Sequence, residues 1–290
     1  MMESMTAILL LLAATLYAQD FSKIQIEKVS AGNRFTEGPV WSKEGFLIFS
    51  DVPNNRMLKF IPGTGNAGYR DNTNGANGNA FDSQGRLLTC ESRTRRVVRT
   101  KKDGTLEVLA DKFEGKRLNA PNDIAVRKDG HVWFTDPAFG DQADHRELDF
   151  YGVYHISPKG ELSLSTKTKG RPNGVALSQN GKTLYLAVSD ERTIYAYDLD
   201  GQGKLSNERI FTKEISGPPD GLKLDEKGNV YVAATDLDIY SPQGKLLKSI
   251  EMPEKPSNVA FGDADYQTLF ITARTSVYRM RLDVKGAIHH

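Results

Sequence analysis

Residues 220–232 read DGLKLDEKGNVYV, and this arrangement decides the fold because it recurs along the chain. A polar residue, Asp220, is followed four places later by apolar Leu224 and eight places later by Gly228. A run rich in β-branched and aromatic residues comes next. We call the first polar residue of each copy its anchor. The other anchors are Glu37, Asn77, Asn122, Asn173 and Ser257, and only the Ser257 copy lacks the glycine, having Asp265 there.

The spacing of the anchors predicts the architecture. Successive anchors stand between 37 and 51 residues apart, which is the length of one propeller blade. Each copy contains short alternating strands separated by turn residues, with no helical periodicity between them. The sequence therefore predicts an all-β, six-bladed β-propeller with four-stranded blades around a central channel, formed by residues 19–290 as a single domain.

The first residues stand outside this repeat. Residues 7–18 are apolar, end in small residues and are followed by polar Gln19 and Asp20. This stretch is too short to span a bilayer but fits the apolar region of a signal peptide cleaved after Ala18. We therefore expect residues 1–18 to be removed and the protein to be exported to the periplasm or secreted. The alternative is an apolar arm packed on the domain, since Met1 to Thr6 contain Glu3 and no Lys or Arg; the protein would then be cytoplasmic.

The charge balance limits the partners. The chain has 38 Lys and Arg against 37 Asp and Glu, so no overall field favours nucleic acid or, once the signal is removed, a membrane. A basic cluster at Arg93, Arg95, Arg96 and Arg99 is interpreted as a solvated strand edge. We expect a small-molecule substrate and a monomer or weak dimer.

Several familiar catalytic arrangements are missing from the sequence. No G-x-S-x-G elbow, P-loop or Cys-x-x-Cys is present. The single cysteine, Cys90, lies in an apolar run and is expected to be an inert core thiol. No histidine occupies an anchor, and His131, directly after a turn glycine, is expected at the surface. A histidine-based nucleophile triad is therefore disfavoured.

Propeller geometry places the anchors together. If each anchor starts the innermost strand of its blade, all six surround the channel at one end, and each second strand returns to that face. An outer acidic ring would follow, consisting of Asp51, Glu91, Asp136, Asp190 and Asp236. Asn77, Asn122, Glu91 and Asp136 are predicted substrate contacts. The segments 66–77 and 141–151 are expected to wall the pocket.

Four anchors offer hard oxygen ligands: Glu37, Asn122, Asn173 and Asp220. Such a set suits one divalent cation, Ca²⁺ first, with Mg²⁺, Mn²⁺ or Zn²⁺ also accommodated. The alternative is that Asn and Asp merely stabilise turns. Four such residues at equivalent positions, including the poor turn former Glu37, favour a metal site. Asp220 is the candidate general base.

The motifs around these anchors resemble those of the SMP-30/gluconolactonase family from Phe35 to Leu282. They are EGPVW at 37–41, LNAPND at 118–123, WFTDP at 133–137, RPNG at 171–174, DG at 220–221 and LFITA at 269–273. The resemblance implies a six-bladed propeller with a divalent cation on its axis that hydrolyses sugar lactones such as glucono-1,5-lactone.

The resemblance also implies roles for single residues. Glu37, Asn173 and Asp220 match metal ligands, Asn122 matches a metal or substrate contact, and Asp220 matches the proposed acid/base. Ala120 stands where the animal branch has a substrate-binding Arg. The leading hypothesis is a metal-dependent lactone hydrolase. The alternatives are a calcium-dependent phosphotriesterase and a non-catalytic ligand-binding propeller.

Overall fold

The chain folds into six four-stranded antiparallel sheets, with one additional two-stranded hairpin among the residues that are described. The computed structural model describes residue 21 and residues 24–289. The innermost strands of the sheets pack beside one another in a closed ring, so the predicted six-bladed propeller is confirmed. The predicted signal segment, residues 1–18, lies outside the described residues. Within them, no helix is long and apolar enough to cross a membrane.

The first strand, β1 (Glu27–Ser30), belongs to the last blade, and the next blades follow in chain order. Blade 1 contains β2 (Thr36–Ser42), β3 (Phe46–Asp51), β4 (Arg56–Ile61) and β5 (Gly65–Asp71). Blade 2 contains β6 (Ala76–Phe81), β7 (Leu87–Glu91), β8 (Arg96–Thr100) and β9 (Leu106–Ala110). A hairpin of β10 (Lys112–Phe113) and β11 (Lys116–Arg117) follows it.

Blades 3 to 5 repeat this order. Blade 3 contains β12 (Ile124–Val126), β13 (Val132–Asp136), β14 (Tyr151–Ile156) and β15 (Leu162–Thr168), with a 3₁₀ helix (Gly140–His145) after β13. Blade 4 contains β16 (Pro172–Leu177), β17 (Thr183–Val188), β18 (Thr193–Leu199) and β19 (Leu205–Thr212). Blade 5 contains β20 (Leu222–Leu224), β21 (Val230–Ala233), β22 (Leu237–Tyr240) and β23 (Leu246–Ile250).

Blade 6 joins the two parts of the chain that lie furthest apart in sequence. Its inner strands are β24 (Pro256–Gly262), β25 (Thr268–Ala273) and β26 (Ser276–Arg281), and β1 pairs antiparallel with β26 as the outermost strand. Lys28 lies opposite Tyr278 in this register. The pairing of β1 with β26 in the sheet of blade 6 therefore closes the ring of blades.

Strand periodicity builds the core between neighbouring blades. Successive side chains of a strand point to opposite faces, so Trp133 of β13 packs towards Val175 of blade 4 while Phe134 packs towards Leu88 of blade 2. Cys90 belongs to the same cluster as Phe134 and is completely buried. Burial raises the pKa of its thiol well above the usual value, which confirms the expected inert core cysteine.

Glycines next to the anchors let the inner strands approach closely. The amide of Gly78 donates to the Asn122 carbonyl at 2.7 Å, and the amide of Gly174 donates to the Asp220 carbonyl at 3.1 Å. A Cβ atom added at these glycines would lie 2.5 Å and 2.4 Å from the same two carbonyl oxygens. Only glycine fits so close to a neighbouring backbone, so Gly78 links blade 2 to the anchor of blade 3 and Gly174 links blade 4 to the anchor of blade 5.

The loops at the two ends of the channel differ from one another. Residues 141–151 include most of the 3₁₀ helix, and of them Gln142 lines the cleft at the anchor end, so the expected pocket wall is confirmed at that residue. Segment 66–77 is instead mostly the outer strand β5, and within it Gly75 and Asn77 line the cleft.

At the opposite end, the Ala287 amide donates to the Leu224 carbonyl, so the C-terminal tail crosses the channel. A small apolar cavity of about 100 Å³ lies beneath the tail.

His131 departs from its predicted surface position. It is only 7% exposed, and its Nδ1 lies 2.6 Å from Nε2 of His155 on the neighbouring strand. Both imidazoles stack against the Trp133 ring. The turn glycine before His131 marks a strand end but carries no information about the partner that buries it.

Candidate functional site

The predicted site residues meet at one end of the channel. Glu37, Asn77 and Asn173 lie near the starts of inner strands β2, β6 and β16, while Asn122 and Asp220 each lie two residues before β12 and β20. The backbone hydrogen bonds described above join Asn122 and Asp220 to neighbouring blades. The structure therefore brings the four predicted metal ligands and Asn77 to the same face.

Glu37 is a buried carboxylate in an environment with excess negative charge. Its side chain is 4% exposed, and its Oε2 accepts hydrogen bonds from the Gly38 amide at 2.8 Å and from Asn258 Nδ2 at 3.3 Å. Burial raises the pKa of Glu37 well above its usual value, and the nearby carboxylates of Asp220 and Asp123 raise it further. Glu37 forms no ion pair with the residues that the structure describes, so none of their basic side chains neutralises its charge by direct contact.

Asp220 is partly exposed to the cleft. Burial of the carboxyl group raises the pKa of Asp220 to about 7, Asp123 contributes in the same direction, and Lys255 and the Asn173 amide lower it. This carboxyl group is thus able to exchange a proton near neutral pH, as a general base must.

The donor atoms fit a hard divalent cation. Oδ1 of Asn77 is buried without a hydrogen-bond partner, and the Asn122 side chain makes no hydrogen bond within the described part of the chain. Asn173 Nδ2 donates to Ser189 Oγ at 3.1 Å, which fixes the orientation of that amide. Among the described residues, no three His, Cys, Asp or Glu side chains form a metal-binding group. A cation here would therefore depend on amide oxygens as well as carboxylates.

A cleft with two lobes opens above the anchors, and Phe139 lies between the lobes. One lobe, of about 540 Å³, is lined by Asn77, Asn122, Ala120 and the start of the 3₁₀ helix. The other, of about 410 Å³, is lined by Asn173, Asp220 and several basic side chains. Both volumes are in the range of small-molecule sites.

Glu91 and Asp136 occupy a different environment from the one predicted. Both are completely buried. Glu91 accepts hydrogen bonds from Arg70 and Arg96, at 3.2 and 2.7 Å. Asp136 accepts the Asn119 and Ala120 amides, each at 2.8 Å, and burial raises the pKa of Asp136 to about 7. The two carboxylates hold loops that lead to the anchors and do not face the cleft.

Two site residues escaped the sequence analysis because they follow an anchor. Asp123 and Asn258 stand where four other copies have glycine. Asp123 Oδ2 accepts the Val175 amide at 3.2 Å, and Asn258 contacts Glu37. The break in the glycine pattern was the signal that could have identified both residues. Phe139 and Lys255 lie in loops outside the repeat, so no repeat signal marks them.

Comparison with known proteins identifies the family. A model of the SMP-30/Gluconolactonase/LRE-like region matches residues 35–275. The chain belongs to the SMP-30/gluconolactonase/LRE-like family. The resemblance inferred from the motifs is thereby confirmed, and the family match covers all six anchors.

Individual relatives within and around this family differ in their named activities. A gluconolactonase of Zymomonas mobilis is 36% identical, over 90% of this chain and 82% of that protein. The structure of a gluconolactonase from Xanthomonas campestris superposes with a TM-score of 0.84 and 32% identity, covering 90% of each chain. Diisopropyl-fluorophosphatase of Loligo vulgaris is 28% identical, over 81% of this chain and 84% of that protein.

Proposed function

We propose that this member of the SMP-30/gluconolactonase/LRE-like family is a hydrolase that opens sugar lactones in the cleft above Asp220. The observation that carries the proposal is the placement of the Asp220 carboxyl group at the edge of an open lobe, beside Asn173. The relatives that are named gluconolactonase support the same substrate class.

The side chains divide the reaction between them. Asp220 accepts a proton from water as the water oxygen attacks the lactone carbonyl carbon. The ring carbon–oxygen bond then breaks, and the proton is returned to the ring oxygen, which leaves as a hydroxyl group of the open hydroxy acid. Asn77 and Asn122 face the other lobe and supply amide groups for the sugar hydroxyls.

Metal dependence is the second part of the proposal. Glu37, Asn173 and Asp220, together with Asn122, would hold one divalent cation, and their oxygen atoms suit Ca²⁺ best. When bound, such a cation supplies Lewis-acid polarisation of the carbonyl group. The buried and mutually repelling carboxylates of Glu37 and Asp220 favour a cation between them.

A pH-drop assay with a panel of aldonolactones tests the proposal. We expect hydrolysis well above the spontaneous rate, at least tenfold loss on treatment with a chelator, and recovery on addition of Ca²⁺. Recovery with Mg²⁺, Mn²⁺ or Zn²⁺ but not Ca²⁺ would show that the proposed cation is wrong and the proposed reaction is right. Absence of turnover for every lactone in the presence of each cation would refute the proposed function.

A second candidate is phosphotriester hydrolysis, which the similarity to the diisopropyl-fluorophosphatase of Loligo vulgaris favours. The two activities differ in the leaving group, so fluoride release from diisopropyl fluorophosphate measures the second directly. A kcat/KM for that compound above the value for every lactone would reverse the order of the candidates. Saturable lactone binding without turnover would instead indicate a ligand-binding propeller.

A further inference from the structure

Three basic side chains line the lobe that contains Asp220: Arg171, Arg192 and Lys255. Arg171 is already engaged, since its guanidinium group pairs with Asp190 at 2.5 Å and lies over the Phe139 ring. Arg192 and Lys255 are exposed. Their side chains form neither a hydrogen bond nor an ion pair with the residues that the structure describes. The lobe therefore presents two cations that the protein does not neutralise by direct contact.

The acidic neighbours of these two cations bind other groups. Glu254, next to Lys255, accepts hydrogen bonds from Ser276 Oγ and from the Tyr278 hydroxyl at 2.5 and 2.9 Å. Glu191, next to Arg192, accepts the Gly170 amide at 3.0 Å and the Tyr195 hydroxyl at 2.5 Å. Neither carboxylate contacts the cation that follows it in the chain. Of the carboxylates that line the lobe, Asp190 pairs with Arg171, and Asp220 is close to Lys255 without forming an ion pair with it, so the two positive charges remain available to a ligand.

The chemistry of the two groups selects their ligand. An ammonium group and a guanidinium group donate hydrogen bonds but accept none, so they bind anionic oxygen atoms much better than sugar hydroxyls. Lys255 also interacts electrostatically with Asp220, which places its charge close to the proposed base. An anion held there would lie beside the reacting lactone.

We propose that the preferred substrate is a sugar lactone that carries a carboxylate, phosphate or sulfonate, bound by Lys255 and Arg192. This inference rests on the proposed lactonase function and adds the charge of the substrate. Lys255 and Arg192 are then specificity-determining residues, while Asp220 performs the proton transfer.

The test compares a neutral lactone with two anionic ones. Steady-state rates are measured for glucono-1,5-lactone, its 6-phosphate and glucaro-1,4-lactone with the wild type, Lys255→Met, Arg192→Met and the control Lys248→Met. Lys248 is exposed on outer strand β23 of the blade next to Lys255. We expect each cleft variant to raise KM for the anionic lactones by about 10- to 100-fold. The KM for the neutral lactone should be unchanged, as should all constants of the control. Any change of kcat in Lys255→Met should be the same for all three lactones, because Lys255 also acts on the pKa of Asp220.

The possible results separate the two proposals. A larger effect on the 6-phosphate than on glucaro-1,4-lactone would identify a phosphate or sulfonate site, and the reverse a carboxylate site. Equal kcat/KM for neutral and anionic lactones, insensitive to both cleft variants, would overturn the inference and leave the lactonase function standing. Turnover of no lactone of any kind would overturn both.

Discussion

At the scale of single residues, Asp220 decides the chemistry. Asp220→Asn preserves shape and one amide oxygen but removes the charge and the basic lone pair. We expect kcat for a lactone to fall by at least about 100-fold, while binding of the cation is retained in part.

Asn77→Ala should mainly raise KM, since Asn77 lines the cleft beyond the proposed base.

The matched control for Asp220→Asn is Asp198→Asn. Asp198 is an exposed carboxylate that pairs with Arg209 on the outer half of blade 4. Replacement of Asp198 should change neither kcat nor KM. If Asp220→Asn retained near-wild-type kcat with the cation bound, Asp220 could not be the base. Glu91 and Asp136 are poor substitutes, because both are completely buried.

The His131–His155 pair predicts a pH dependence of stability. Burial lowers the pKa of His155 to about 4, and His131 and Arg127 add to the effect. Since the unfolded value is about 6.5, the unfolded chain binds more protons than the folded chain between these values. The free energy of unfolding should therefore decrease as the pH falls from about 6.5 towards 4.

Urea unfolding at several pH values between 7 and 4.5 measures this effect. His155→Gln removes the titrating group, so the decrease should be smaller than in the wild type. His145→Gln, on the exposed 3₁₀ helix, serves as the control and should follow the wild-type curve. Parallel curves for the wild type and His155→Gln would exclude His155 as the source.

What the sequence reveals at this scale depends on the repeat. Glu37, Asn77, Asn122, Asn173 and Asp220 were recognisable because one position recurs in every blade. The roles of Asp123 and Asn258 required knowledge of which neighbouring strand they approach. The burial of His131 was equally hidden, since its partner His155 comes from the third strand of the blade.

At the scale of structural elements, the inner strands depend on close contact at their starts. Gly174→Ala should disturb this contact, because the added Cβ would lie 2.4 Å from the Asp220 carbonyl oxygen and 2.8 Å from Gly221 Cα. Overpacking of this kind costs about 1–3 kcal/mol. Gly201→Ala, in a turn where nothing lies within 4 Å of the added Cβ, should have little effect. Equal free energies of unfolding for the two variants would show that the inner strands accommodate the added methyl group without loss of stability.

The elements were predictable to different degrees. The second strand of every blade was expected from the β-branched and aromatic run that follows each anchor, because turn residues and alternation mark such strands locally. The assignment of 66–77 to a pocket wall was largely wrong, because β-strand β5 continues to Asp71. Outer strands carry more polar residues, so the apolar–polar alternation that marks a strand is weak and their sequence resembles that of a loop.

At the scale of the whole molecule, closure of the ring was not predictable from the repeat. Six anchors indicated six blades, but nothing in their spacing showed that β1 completes blade 6. Before β2, the described part of the chain contains one strand of four residues, Glu27–Ser30, and its partner β26 begins at Ser276. Such pairing depends on the geometry of the closed ring.

Removal of β1 should therefore destabilise the whole propeller. Phe21, Ile24 and Ile26 pack against the core cluster shared by blades 5 and 6, and each contributes about 1 kcal/mol when partly buried. Deleting residues 1–30 should lose these contacts and the β1–β26 pairing. A loss of about 3 kcal/mol lowers the thermal midpoint by roughly 5 °C, because an unfolding entropy of about 2.1 cal/mol/K per residue amounts to about 0.6 kcal/mol/K in a chain of this size.

A second truncation separates this effect from that of the predicted signal peptide. A chain starting at Gln19 retains β1 and its apolar neighbours, so its thermal midpoint should equal that of the full chain. The two deletions are compared by calorimetry at the same protein concentration. If removal of residues 1–30 were as harmless as removal of residues 1–18, blade 6 would be stable with three strands. If both deletions were equally damaging, residues 1–18 would belong to the folded domain, in agreement with the alternative of an apolar arm.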